Sequence, residues 1–206
     1  MFSGNRLKTE SVVLLGSTNE YYLNQPRFHG NYNCFGYVLR RAGVTPKQMG
    51  DRPNYTQKEL DQTMQAHGGF QHVPYPAKTP DQVKFGYKKR VQKAVVYTVI
   101  DRAGRHRVYH VAIQRLYDPL TGKKLYNPKT GLKLGKKVWW ESKLGSGPLI
   151  AHDDLNLLVN NVDDGTAEYG NPRIVYERPW TNNPDLDGGP DAKRKWWPMH
   201  FTDYPK

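Results

Sequence analysis

The chain of 206 residues contains one cysteine, Cys34, within Asn31-Tyr32-Asn33-Cys34-Phe35-Gly36-Tyr37-Val38-Leu39-Arg40-Arg41-Ala42-Gly43. A thiol becomes a nucleophile when its thiolate is stabilised, and the first turn of a helix does this with free N–H groups and the positive dipole end. The local sequence predicts that placement for Cys34. Asn33 suits the N-cap, Phe35, Val38 and Leu39 recur at helical spacing, Arg40 and Arg41 complement the negative helix end, and Gly43 fits the C′ position. An ordinary thiol titrates near ~8.5, and helix placement with a histidine neighbour lowers that to about 3.5–7.5. The candidate proton acceptor is His110, on an apolar stretch downstream. A lone helical cysteine is more often a small buried residue, and a strand histidine a packed one. The chemistry therefore depends on the elements that position the two.

Those elements can be read from periodicity. Residues 1–30 are polar and irregular apart from Val12-Val13-Leu14-Leu15. Thr56-Gln57-Lys58-Glu59 is a capping box, Leu60 and Met64 form a narrow apolar stripe, and Gly68-Gly69 ends the helix. From Ala94 to Ile100 the residues are β-branched and apolar, Asp101-Arg102-Ala103-Gly104 reads as a turn, and Arg107 to Leu116 returns as an alternating strand. Alternation puts Val108, His110, Ala112 and Gln114 on one face, and Tyr109, Val111 and Ile113 on the other. Residues 117–135 nearly repeat themselves, Y-D-P-L-T-G-K-K-L then Y-N-P-K-T-G-L-K-L, and predict a basic hairpin insertion. Lys136 to Leu144 reads as a strand, His152 to Val159 as a short helix opened by Asp153 and Asp154, and Arg173 to Glu177 as a closing strand. Residues 180–206 read as an extended arm pinned by Trp180, Trp196 and Trp197. The whole is expected to be a single α+β domain, an N-terminal helix carrying Cys34 packed on an antiparallel sheet.

Composition narrows the function. One cysteine excludes an internal disulfide framework and a structural zinc cluster, and the seven histidines lack the paired spacings of zinc enzymes. Gly145-Ser146-Gly147 lacks the lysine and helix of a phosphate-binding loop, so neither a metal nor another cofactor is expected. The apolar run Val12–Leu15 is too short for a secretory signal or a membrane span, which predicts a protein that is cytoplasmic or delivered to a target cell without a classical signal peptide. A net charge of +12 predicts an anionic counterpart. The lysines and arginines cluster at 84–93 and 123–137 and read first as solvated hairpin faces. Nucleic acid is not favoured, because no zinc-finger spacing or aromatic RNA-binding pattern accompanies them.

Asn33-Cys34-Phe35-Gly36-Tyr37-Val38 resembles the nucleophile motif of the NlpC and CHAP branches of the papain-like cysteine peptidase superfamily, and Tyr109-His110-Val111-Ala112-Ile113 resembles its histidine strand. Trp139-Trp140-Glu141-Ser142-Lys143-Leu144-Gly145, then His152, then Tyr169-Gly170 before a last strand, is similar to the closing segment of uncharacterised papain-like proteins of bacteria and phages. The resemblance implies a cysteine peptidase or amidase, of toxin, effector or phage type, with Cys34 as nucleophile and His110 as base. A polar residue on the following strand then orients the imidazole, and Glu141 fits by order and polarity. Ser142 neighbours it on the opposite strand face, and His152 is a further candidate. The oxyanion would bind the Cys34 N–H, with Gln25, Asn31 and Tyr32 as side-chain candidates. Substrates of this kind are peptidoglycan or protein amides, and an acidic partner such as an immunity protein fits the charge. The alternative is an inactive module that binds an anionic partner through the basic segments.

Overall fold

The computed structural model describes residues 12–14, 34, 38, 54–119, 121, 123–125, 127, 130, 134, 137–143, 149–158 and 170–180. Its strands are β1 (Val12–Leu14), β2 (Asn54–Tyr55), β3 (Gln71–Val73), β4 (Val91–Ile100), β5 (His106–Gln114), β6 (Trp140–Lys143), β7 (Leu149–His152) and β8 (Asn171–Pro179). Two helices are bounded, α1 (Gln57–Gly68) and the single turn α2 (Asp81–Lys84), and a 3₁₀ turn spans Leu155–Leu158. The described strands form one sheet in the order β1-β7-β6-β5-β4-β8-β3, with β2 paired to the start of β5. All these pairings are antiparallel, so the chain has an α+β fold of few helices on a mostly antiparallel sheet.

Helix α1 forms where the sequence places it. Thr56 Oγ1 accepts from the Glu59 N–H at 3.3 Å while the Thr56 N–H donates to Glu59 Oε2 at 2.8 Å, a complete capping box. Gly69 ends the helix in the left-handed region at φ 64. Leu60 and Met64 are wholly buried and pack with Val38, Phe70, Val96, Val111 and Ile113 on one face of the sheet. Polar contacts tie α1 to β8 as well, since the Tyr176 hydroxyl donates to Asp61 Oδ1 at 2.7 Å and accepts from Gln57 Nε2 at 3.2 Å. The other face carries Val95, Tyr97, Ala112, Trp140, Leu155 and Val175. There the Tyr97 hydroxyl donates to the Leu155 carbonyl at 2.9 Å and holds the 3₁₀ turn against the sheet.

The expected hairpin is present as β4 and β5, but its pairing shifts between Tyr97 and Thr98, so that Tyr97 faces His110 and Thr98 faces Val108. Tyr109 is the extra residue of a bulge. The strand alternation expected from sequence therefore fails at that point: Val108 packs against the helix-side cluster, while His110 lies with Ala112 and Tyr97 on the far face.

Other expectations change for comparable reasons. The short helix expected from His152 to Val159 is reduced to the 3₁₀ turn Leu155–Leu158, because His152 ends a strand, Leu149–His152, that pairs on both sides, with β6 and with β1. Val12–Leu14, from the N-terminal apolar run, thereby gains a role as an edge strand. Lys93 does not belong to a solvated face. It is buried, donating from Nζ to the Val83 and Lys84 carbonyls at 3.0 and 2.9 Å, and burial lowers its pKa to about 8 against the opposing pull of Glu177. In the near-repeat, Asp118 Oδ1 accepts from the Thr121 N–H at 2.9 Å and Asn127 Oδ1 from the Thr130 N–H at 3.2 Å, so each copy closes the same side-chain turn. Leu125 anchors the excursion against Trp139 and Ala151. The proposed Asn33 cap, Gly43, Trp196 and Trp197 lie outside the described residues.

Two glycines differ in what they tolerate. Gly69 has open space where a Cβ would stand, whereas at Gly170, φ 67, a Cβ would meet the Thr98 backbone at 2.9 Å. Gly69→Ala should cost about 1–2 kcal/mol for the left-handed backbone alone. Gly170→Ala should cost clearly more, because strand β4 must also move. Urea unfolding of both variants checks the order, and equal losses would contradict it.

Candidate functional site

Cys34 and Val38 are both helical and stand one turn apart. Val38 enters the helix-side core, and this fixes the helical segment against the sheet. Cys34 is 6% exposed, and its Sγ donates to the Tyr109 carbonyl at 3.8 Å. The bulge helps to explain this contact, since a bulged residue's carbonyl is left out of the ladder and can accept from elsewhere. Between the pairing of β5 with β2 at His106–Arg107 and with β6 at Ala112–Gln114, this stretch of the β5 edge receives the thiol. The structure thus brings Cys34 to the strand position next to His110.

The His110 ring occupies the far face. It meets Tyr97 edge-on, with centroids 5.3 Å apart and planes at 70°. His110 is wholly buried, and burial, followed by the nearby His152, lowers its pKa to about 3. The imidazole is therefore neutral at any ordinary pH. The β5 backbone lies between this ring and the helix-side core.

Beside His110 on the same face is a polar pair that the sequence only hinted at. Ser142 Oγ and His152 Nε2 are 2.8 Å apart, and His152 Nδ1 is 2.9 Å from the Asp154 carbonyl. A carbonyl only accepts, so Nδ1 carries the proton and Nε2 accepts from the Ser142 hydroxyl. Both residues are wholly buried. Burial lowers the His152 pKa to about 4, although the Asp154 carbonyl and the charges of Asp154 and Asp153 oppose it. The cue for this pair was the Leu149-Ile150-Ala151 run, which reads as a strand once β6 is available to pair with it. A cavity of about 370 Å³ opens on the same face, lined by Phe85, Tyr87, Trp140, Asp153, Asp154 and Leu155 among others.

Glu141 goes elsewhere. Its register partner is Ile113, which puts it on the helix side of the sheet, where its carboxylate forms a buried ion pair with Arg115. The structure does not bring Glu141 to the His110 ring. Gln25, Asn31 and Tyr32 lie outside the described residues. Among the described residues no group of three or more His, Cys, Asp or Glu could hold a metal ion, and no helix is long and apolar enough to cross a membrane.

Residues 25–177 match the model of a family described as Domain of unknown function (DUF7689). The chain belongs to that family. No curated protein and no solved structure matches it. The DUF7689 span includes Cys34, His110, Glu141, Ser142 and His152, and ends inside β8.

Two outcomes follow from these environments. Both histidines have folded pKa values, about 3 and about 4, below the ordinary 6.5. Between those limits the unfolded chain binds more protons than the folded one. Their contribution to stability is thus complete above pH ~6.5 and is lost as pH falls, at up to about 1.4 kcal/mol per pH unit for each histidine. Urea unfolding of the wild type should show this slope, and a His152→Asn variant should show about half of it. In the second, Glu141→Gln should destabilise the fold by about 3–5 kcal/mol by leaving the Arg115 charge buried without compensation, and Arg115→Met added to Glu141→Leu should recover much of the loss.

Proposed function

We propose that the protein is a cysteine hydrolase of amide bonds with a papain-like arrangement, in which Cys34 is the nucleophile and His110 the base. The observation that carries this reading is the seat of the Cys34 thiol on the carbonyl that immediately precedes His110. Cys34, which is helical, and Tyr109 of β5, 75 positions apart, meet there. In the reaction Cys34 Sγ attacks the amide carbon and its proton passes to His110. The imidazolium then protonates the leaving amine, and water hydrolyses the thioester to an acid. Burial keeps His110 neutral and also weakens it as a base, so its basicity must recover when the site opens before it can take the thiol proton. In the described state the β5 backbone separates the His110 ring from the thiol, so transfer requires the bulged stretch of β5 to rearrange as substrate enters, and rotation of the ring alone does not achieve it. The Ser142–His152 pair, on the same face as His110, is better placed than Glu141 to orient it, and Glu141 serves the Arg115 ion pair. Peptidoglycan crosslinks, isopeptides and protein glutamine amides share this chemistry as substrates.

A second reading rests on the same geometry. The His110 ring packs edge-on against Tyr97 and Cys34 is nearly inaccessible, as expected of a papain-like frame retained for binding and not for chemistry.

Alkylation of Cys34 by iodoacetamide at pH 6 separates the two. A coupled pair predicts that His110→Ala slows labelling at least ~10-fold by removing the base that takes the thiol proton as the sulfur attacks. Equal rates in wild type and variant, or labelling only under denaturing conditions, would sink the hydrolase reading. Circular dichroism establishes that the variant is folded.

A further inference from the structure

The end of the β4–β5 hairpin remote from Lys88 has a composition that neither reading of the Cys34 site uses. Val99 is 36% exposed and Ile100 is 48% exposed, among the most exposed large apolar residues described. Val99 shares a face with Arg107 and Ile100 the opposite face with His106, so the two residues flank the hairpin end, where Arg102, Arg105, Arg107 and Arg173 are all exposed. Arg173 belongs to this group because its charge acts on His106 of β5. The only carboxylate between Val91 and Gln114 is Asp101. It is already committed, accepting from the Ala103 and Arg105 N–H groups at 2.9 Å and pairing with Arg105 Nε at 2.9 Å. Asp61 of α1 also acts on His106, but it accepts from Tyr176 and Gln57, and Arg102, Arg107 and Arg173 outnumber it, so the end of the hairpin keeps a net positive charge. Arg107 lies over the Tyr109 ring with its guanidinium carbon 5.2 Å from the centroid, an arrangement that leaves the outer face of the guanidinium for a second contact.

The backbone contributes as well. Pairing of β4 with β8 ends at Thr98↔Asn171, so Val99 and Ile100 continue past it while still paired to Arg107 and His106 on their other side. Among the described residues no strand pairs with Val99 and Ile100 on that side, and such a backbone edge is of the kind to which an extended peptide adds.

We infer that this hairpin end is a docking surface for an acidic, extended segment of a partner protein. Charge complementarity selects the acidic side chains, and guanidinium groups bind carboxylates in bidentate geometry. Nucleic acid offers the same charge, but exposed Val99 and Ile100 gain from apolar side chains and not from phosphodiester. Arginine beside apolar residues is also the composition of protein interface centres. The surface is separate from Cys34 and His110 and does not require the chain to be an enzyme.

The test uses the full chain and fluorescence anisotropy at low salt. The probes are a labelled peptide alternating Glu and Val, the same peptide with Gln for Glu, and a thymidine oligonucleotide of equal charge. Arg102→Glu, Arg107→Glu and Arg173→Glu combined should weaken binding of the acidic peptide roughly tenfold or more. Lys89→Glu, Lys123→Glu and Lys124→Glu make the same charge change at the opposite end of the hairpin and should weaken it far less. Ile100→Ser should lower affinity about 2–5-fold without altering charge. Arg102→Glu alone, in the turn, guards against misfolding of the triple variant and should weaken binding in the same direction. Equal losses in the two triple variants would reduce the site to diffuse charge and overturn the inference. So would failure of the wild type to bind the acidic peptide, or tighter binding of the oligonucleotide lost through the same arginines.

Discussion

The bulge at Tyr109 is the constraint on which the arrangement depends. It lets Val108 face the helix-side core while His110, two residues on, faces the opposite layer. It also leaves a carbonyl for the Cys34 thiol on an edge of β5 that lies between the pairings with β2 and β6. A regular strand would present a different residue's carbonyl on that edge and would turn Val108 and His110 to the same face. A single inserted residue thus sets both the seat of the sulfur and the environment of the imidazole.

Each face of the sheet then has its own character. Among the described residues the helix side is largely hydrocarbon, with buried polar groups toward its end: the Arg115–Glu141 ion pair, and Arg178, which lies over the Phe70 ring and donates to Gln92. The far side is polar along a line that runs from His110 through Ser142 and His152 to the Asp154 carbonyl. Burying two imidazoles without protonating them makes the fold sensitive to acid, and it also keeps both in the form that accepts protons. Polar groups held so deep at a stability cost are more common at functional sites than in ordinary cores. That weighs toward chemistry at this place in the fold, and the edge-on seat of His110 against Tyr97 weighs against it.

The sequence made some of this legible and concealed the rest for physical reasons. The α1 helix could be read from its capping box and Leu60–Met64 stripe, and the β4–β5 hairpin from its β-branched runs, because local rules decide both. The bulge could not be read, because an extra residue leaves no mark in an alternating pattern until the partner strand is known. The fate of Lys93 was hidden in the same way: a lysine in a basic run looks solvated, and only the α2 carbonyls above it account for its burial. Glu141 looked like an orienting group from order and polarity, yet the sheet register turns it toward Arg115, a partner 26 positions away. Ser142 and His152 escaped notice as a pair because each became meaningful only when Leu149–His152 was seen as a strand.

The most direct measurement is a nitrogen-15 NMR titration of the histidine side chains, in the native chain and after carbamidomethylation of Cys34. His110 should remain neutral at every pH at which the protein is folded, and its ring resonances should move when the neighbouring sulfur is modified. A His110 that titrates near pH 6.5, with ring resonances indifferent to the state of Cys34, would contradict the account.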